Sequence, residues 1–117
     1  MPQYNKLVRD RIPEIIEQSG KSCKLSTLSA ERFLAELKRK LLEEATEAQN
    51  TSNDEDLLRE LADVLEVITT LAEATGIGMA AVEDTMLERA AERGRFEKRL
   101  FLHWVDEHEG SPYHPSP

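Results

Sequence analysis

The chain has 117 residues, and its 15 lysines and arginines against 23 aspartates and glutamates give a formal net charge of −8. This length predicts one domain, and the acidic balance argues against a nucleic-acid polymer or an anionic membrane surface as partner. The single cysteine excludes a disulfide within the chain, and residues 3–11 contain no apolar signal segment, so we expect a cytoplasmic protein.

The spacing of apolar residues predicts helices throughout, beginning with a short one and a long one. The short helix is expected over residues 12–19, with Asp10 as its cap and Pro13 in its first turn. The long helix is expected over residues 30–50, because Ser29 is a favoured N-cap and leucines and alanines then recur at steps of three and four.

Two more helices are predicted after a polar turn. One is expected over residues 54–75 with Asp54 as its cap, and the other over residues 79–93, ending at Gly94. Residues 95–108 alternate aromatic and basic side chains, and this pattern does not distinguish strand, short helix and loop. Neither an internal repeat nor a two-residue alternation stands out, which favours an all-α antiparallel helical bundle.

The expected domain covers residues 1–109, and residues 110–117 are expected to form a flexible C-terminal tail. Three or four helices of this size leave apolar faces uncovered, so we expect an oligomer, either a homodimer or a homotetramer. The negative charge is concentrated in the two central helices, since residues 29–75 hold twelve acidic and five basic side chains.

Some of these carboxylates lie close to apolar faces. On a helical wheel Glu44 lies about 40° from the centre of the second helix's apolar face, and Glu60 lies inside the apolar arc of the third. Glu47 and Asp63 follow one turn later on the flanks. Because a short turn makes the helices antiparallel neighbours, Glu44 and Glu60 both lie about 9 Å from that turn, and the four carboxylates should converge.

Converging carboxylates repel one another and raise at least one pKa, and a hard divalent cation removes this conflict. Mg²⁺ suits oxygen ligands, keeps waters and is completed by substrate phosphates, and Mn²⁺ suits the same ligands. The Glu44–Glu47 pair of the second helix alone, or the Glu60–Asp63 pair of the third alone, would more often indicate a solvated helix face. A di-iron bundle is a weaker alternative, because it needs Glu-x-x-His on two helices and all three histidines lie in the C-terminal segment.

Residues 40–48 and 60–63 resemble the EExxE…ExxD signature of the all-α nucleoside triphosphate pyrophosphohydrolases. This superfamily includes MazG-like enzymes, phosphoribosyl-ATP pyrophosphohydrolase and the dimeric dUTPases. Residues 4–16 and 92–101 are similar to a MazG-like, phosphoribosyl-ATP pyrophosphohydrolase-like subgroup, although Arg95 stands where many relatives have a glycine.

The resemblance implies Mg²⁺-dependent hydrolysis of a nucleotide between its α and β phosphates, giving a monophosphate and pyrophosphate. Clearing non-canonical or excess nucleotides is a role that fits this reaction. It implies that Glu44, Glu47, Glu60 and Asp63 hold the cation and that Glu43 is the base or orients the water. A non-catalytic adaptor that kept the fold and true phosphoribosyl-ATP hydrolysis are the alternatives.

Basic residues must meet the polyphosphate of such a substrate. Lys40 is matched in the signature, although an ordinary ion pair with Glu44 explains it equally well. Lys6 and Arg9 belong to a basic N-terminal group that we expect to reach the site or to pair with the acidic surface. Arg93 belongs to a second basic group beside the C-terminal aromatics.

Overall fold

The computed structural model describes residues 3–106, which form four α-helices and no strand. This confirms the all-α class. The helices are α1 (Ile12–Gln18), α2 (Ala30–Gln49), α3 (Asp54–Ala74) and α4 (Met79–Arg93). Within residues 3–106 no single helix is long and apolar enough to cross a membrane, and only α3 and α4 taken together as a bent pair have that length and composition.

Side-chain caps begin the two long helices. The Ser29 hydroxyl accepts a hydrogen bond from the Arg32 backbone N–H at 3.2 Å, as predicted for α2. The prediction for α3 was wrong by one residue, because Asn53 and not Asp54 is its cap. Asn53 has the extended backbone that a cap requires, and its side-chain oxygen accepts from the Asp56 N–H at 2.8 Å. Asp54 is the first residue of the helix, where its charge favours the helix dipole.

The first helix differs from its prediction at its beginning. Arg11 occupies the cap position in a right-handed helical conformation, and no side chain caps the helix. Asp10 is therefore not the cap that the sequence predicted. Pro13 does lie in the first turn, where its missing N–H has no intrahelical partner to lose.

The α2 and α3 helices pack against each other, and the short connection between them makes them antiparallel. Leu37 of α2 and Val67 and Ala72 of α3 are buried. On a helical wheel Leu61 falls within the apolar arc of α3, but it is 53% exposed. The apolar arc of α3 is wider than one neighbouring helix covers, so Leu58, Leu61 and Leu65 remain exposed along its outer part.

The chain divides into two compact units, Met1–Asp84 and Thr85–Pro117, with the boundary inside α4. In the second unit, residues 95–106 follow α4 without forming a further helix or strand. Phe96, Phe101 and Trp104 are exposed there. The single domain expected over residues 1–109 stays a prediction, and the expected tail at 110–117 lies outside the described residues.

Candidate metal centre

The packing of α2 against α3 brings three glutamates together. Glu44 and Glu47 come from successive turns of α2, and Glu60 comes from α3. One carboxylate oxygen of each lies within 4.8 Å of the other two. We call these residues the three-glutamate cluster. The convergence predicted from the helical wheel is present for three of the four carboxylates, whereas their role as metal ligands stays a prediction.

Two oxygens of the cluster are buried without a hydrogen bond. Glu44 is only 8% exposed and Glu60 is half-buried. The Oε2 atoms of both residues are out of contact with solvent and accept no hydrogen bond from any residue in 3–106. Removing an ionised carboxylate oxygen from water without a partner is costly, so these two atoms need a proton or a cation.

The pKa values of the same two groups reflect this cost. Burial raises the pKa of Glu44, and the negative charge of Glu47 raises it further, while Lys40 acts in the opposite direction. Burial likewise raises the pKa of Glu60, and the neighbouring carboxylate of Glu47 adds to the effect. The charge of Asp63 contributes to both shifts. A fixed positive charge at the cluster would oppose all of these contributions.

The donor set fits a hard divalent cation. The ligand atoms are carboxylate oxygens only, which Mg²⁺ and Mn²⁺ prefer, and no histidine or cysteine belongs to the cluster. The two unpartnered Oε2 atoms supply lone pairs that protein groups do not use. Acidic side chains from two helices can therefore hold one cation between α2 and α3.

Asp63, the fourth predicted ligand, forms an ion pair with an arginine. Its Oδ1 atom accepts a hydrogen bond of 2.7 Å from Nη2 of Arg9, and 39% of its side chain is exposed. Asp63 lies close enough to the cluster to raise the pKa of Glu44 and Glu60. It therefore borders the cluster with Arg9 as its partner, and its assignment as a ligand stays a prediction.

Lys40 lies between two adjacent glutamates of its own helix. Its Nζ atom is 3.6 Å from Oε1 of Glu44 and 3.7 Å from Oε2 of Glu43. The ion pair that was the alternative explanation of Lys40 is therefore present. Glu43 is about half exposed and lies outside the three-glutamate cluster. Its predicted role as base stays a prediction.

The remaining predicted substrate-binding residues are Lys6 and Arg93. Lys6 is exposed, and its Nζ atom lies 5.7 Å from the centre of the Tyr4 ring, within the range of a cation–π contact. Arg93 is the last residue of α4 and belongs to the second unit. Both assignments stay predictions.

The pairing of Arg9 with Asp63 is the contact that sequence reasoning missed. The prediction was that the basic group of Arg9 would reach the site or pair with the acidic surface, but it did not name Asp63 as the partner. The two residues are 54 positions apart, and no helical spacing rule relates them. The sequence signal for this contact was a short basic N-terminal group in a chain of net charge −8 whose two central helices are acidic. That signal indicates an ion pair but does not say which residues form it.

A family model matches most of the chain. Residues 1–90 match the model of a family described as phosphoribosyl-ATP pyrophosphohydrolase. This match covers α1, α2 and α3 and all three residues of the cluster. No curated protein and no solved structure matches the chain.

Neutralising one carboxylate should stabilise the chain when divalent cations are absent. The raised pKa of Glu44 means that its ionisation opposes folding, so stability falls as the pH rises through that pKa. We expect Glu44→Gln to melt at a higher temperature than the wild type at pH 7 in EDTA. At a cation concentration of 100 times Kd, Mg²⁺ should raise the wild-type midpoint by about 10 °C. It should raise the midpoint of Glu44→Gln by at most about half as much, because the variant binds the cation more weakly.

The matched control is Glu36→Gln, because Glu36 is also partly buried on α2 but pairs with Arg39 outside the cluster. Its melting temperature should still respond to Mg²⁺ as the wild type does. Thermal unfolding followed by circular dichroism measures all of these values. An equal Mg²⁺ response in Glu44→Gln would show that the cluster does not bind the cation.

Proposed function

Because the chain belongs to the phosphoribosyl-ATP pyrophosphohydrolase family, whose members hydrolyse phosphoric anhydride bonds, we propose that it is a Mg²⁺-dependent nucleoside triphosphate pyrophosphohydrolase. It cleaves a ribo- or deoxyribonucleoside triphosphate between the α and β phosphates and releases a monophosphate and pyrophosphate. The observation that carries this proposal is the three-glutamate cluster with its two unpartnered buried oxygens. Removal of non-canonical or excess nucleotides is the role that suits such a reaction.

In this proposal Glu44, Glu47 and Glu60 hold the cation, and Asp63 joins them when Arg9 releases it. Mn²⁺ can replace Mg²⁺, because both prefer oxygen ligands. When bound, the cation neutralises phosphate oxygens and lowers the pKa of the attacking water. The converging carboxylates of α2 and α3 support this arrangement, since a divalent cation relieves the repulsion that raises the pKa of Glu44 and Glu60.

Glu43 is the proposed base. As the water oxygen bonds to phosphorus and the bridging P–O bond breaks, the Glu43 carboxylate accepts the proton of the water and pyrophosphate leaves. Its position supports this role, because it is adjacent to Glu44 in α2 yet about half exposed, so it is accessible to substrate and water. The Lys40 Nζ atom lies 3.7 Å from its Oε2 atom, so a positive charge stands beside the proposed base.

Four basic residues are proposed to bind the polyphosphate. Lys40 and Arg9 are the better supported, since each already contacts a carboxylate at or beside the cluster. Lys6 lies three residues before Arg9 in the same segment. Arg93 is proposed on its charge alone.

We also propose a cytoplasmic homodimer or homotetramer. Leu58, Leu61 and Leu65 of α3 are 68%, 53% and 55% exposed and follow one another at steps of three and four. A continuous apolar stripe of this kind typically marks an interface between proteins. A second copy of the chain is the partner that this proposal assigns to the stripe.

The alternative substrate is phosphoribosyl-ATP, which the family description names. It presents the same kind of phosphoric anhydride to the same carboxylates, so the cluster does not distinguish the two substrates. A non-catalytic adaptor is the second alternative, and the intact cluster argues against it because an adaptor has no need of buried, unpartnered carboxylate oxygens.

Pyrophosphate release from a panel of nucleotides tests the reaction. With Mg²⁺ we expect turnover of at least one ribo- or deoxyribonucleoside triphosphate to a monophosphate and pyrophosphate, and much less turnover of phosphoribosyl-ATP. Glu44→Gln should lower Mg²⁺ affinity by more than about tenfold, with a matching loss of activity at limiting Mg²⁺. Turnover of phosphoribosyl-ATP alone would support the alternative substrate. No turnover together with no Mg²⁺ binding by calorimetry would support the adaptor.

Replacing the proposed base should slow the reaction without removing the cation. We expect Glu43→Gln to reduce kcat by about 10²- to 10⁴-fold, because the attacking water loses its proton acceptor. Calorimetric Mg²⁺ affinity should stay within about threefold of the wild type, since Glu43 lies outside the cluster. A kcat close to that of the wild type would refute the assignment.

A charge placed on the apolar stripe should weaken assembly. We expect Leu61→Glu to lower the association constant by more than about tenfold, because the interface would bury an unpaired carboxylate. Analytical ultracentrifugation of the full chain measures this effect. The control is Leu25→Glu, since Leu25 is 57% exposed in the loop before α2 and is not part of the stripe. A wild-type chain that stays monomeric at micromolar concentration would contradict the proposal.

A further inference from the structure

Arg9 contacts the one predicted ligand that lies outside the three-glutamate cluster. Its Nη2 atom donates to Oδ1 of Asp63 at 2.7 Å, across 54 positions of the chain. The neighbouring basic residues have different partners, since Lys6 lies over the Tyr4 ring and Arg11 pairs with Glu14 at 3.3 Å. The contact with α3 is therefore a property of Arg9 in particular and not of a general basic segment.

The contact places a positive charge at the border of the cluster. Asp63 contributes to the raised pKa of both Glu44 and Glu60, so it belongs to the same electrostatic group. The guanidinium of Arg9 occupies a lone pair of Asp63 that would otherwise be available to a cation. Together with Lys40, Arg9 offsets part of the negative charge that α2 and α3 bring together.

The contact is also of a kind that exchanges easily. Arg9 and Asp63 are 58% and 39% exposed, and ion pairs open to solvent are weak. The segment around Arg9 is lightly held, because α1 has seven residues, none of them buried, and no side-chain cap. The backbone carbonyl of Arg9 accepts from the Ile12 N–H at 3.1 Å at the beginning of that helix. Arg9 can therefore change partners without disturbing a packed core.

We propose that Arg9 is the resident counter-ion of the cation-free centre and that it transfers from Asp63 to a phosphate of the substrate when cation and nucleotide bind. This inference rests on the proposed function. A guanidinium recognises phosphate oxygens with the same two-pronged geometry that it uses for a carboxylate. The cation competes with Arg9 for Asp63, and the phosphate draws Arg9 away, so each ligand strengthens the binding of the other.

Calorimetric titration of the full-length chain with Mn²⁺, with and without a non-hydrolysable triphosphate analogue, tests the exchange. Without the analogue, Arg9→Gln should bind Mn²⁺ about fivefold more tightly than the wild type, because Asp63 has lost its competitor. With the cation present, Arg9→Gln should bind the analogue about tenfold more weakly. The increase in Mn²⁺ affinity that the analogue produces should correspondingly shrink, since the two effects are reciprocal.

Two further variants separate charge, geometry and local structure. Arg9→Lys keeps the charge but lacks the planar fork, so its Mn²⁺ affinity should stay near that of the wild type while analogue binding weakens. Arg11→Gln is the control for the segment, and it should match the wild type in both titrations. Circular dichroism of each variant verifies that the helices are retained.

The outcomes distinguish this inference from the proposed function. Unchanged or weaker Mn²⁺ binding by Arg9→Gln would refute the exchange and leave Arg9 as a structural contact of the N-terminal segment. Tighter Mn²⁺ binding without any nucleotide hydrolysis by the wild type would support the counter-ion role while refuting the proposed reaction. Failure of the wild type to bind Mn²⁺ at all would overturn both.

Discussion

The interface between α2 and α3 has to bury leucine and valine side chains on the same surface that carries glutamates. Leu37 and Val67 are buried there, and so is Glu44. The apolar contact that holds the helices together therefore also takes carboxylate oxygens out of water, next to further negative charges. The raised pKa of Glu44 and Glu60 is the direct consequence, and a cation relieves it where an additional apolar contact would not.

The chain's own cations offset this charge only in part. Lys40 lies 3.6 Å from Glu44, and Arg9 holds Asp63, but the Oε2 atoms of Glu44 and Glu60 remain without a partner in the described residues. The site is thus acidic at its centre and basic around it. This arrangement suits a divalent cation followed by a polyphosphate, and it explains how a chain of net charge −8 can act on an anion. Net charge argues against a polymeric anion as the usual partner, but not against a small one that is bound through a cation.

Local sequence rules predicted the helices well and failed where two neighbouring residues competed for one role. Ser29 caps α2 as predicted, whereas Asn53 takes the place expected of Asp54. Both residues have side chains that cap helices, and the backbone decides between them, because only Asn53 is extended. The exposure of Leu61 has a different origin, since a wheel gives the direction of a side chain but not the width of the helix that faces it.

The sequence by itself determined the four helices, the acidic residues at the edge of the apolar faces and the resemblance to the pyrophosphohydrolases. The helices and the places of the acidic residues follow from spacing of three and four residues within one helix and from a short turn between two helices, so they are local. The resemblance follows from the residues of the signature itself. The tertiary structure decided which carboxylates meet, because Glu44, Glu47 and Glu60 converge while Asp63 pairs with Arg9 at their border. It also decided that Arg9 reaches Asp63, because a contact across 54 residues depends on the path of the chain and not on any helical period.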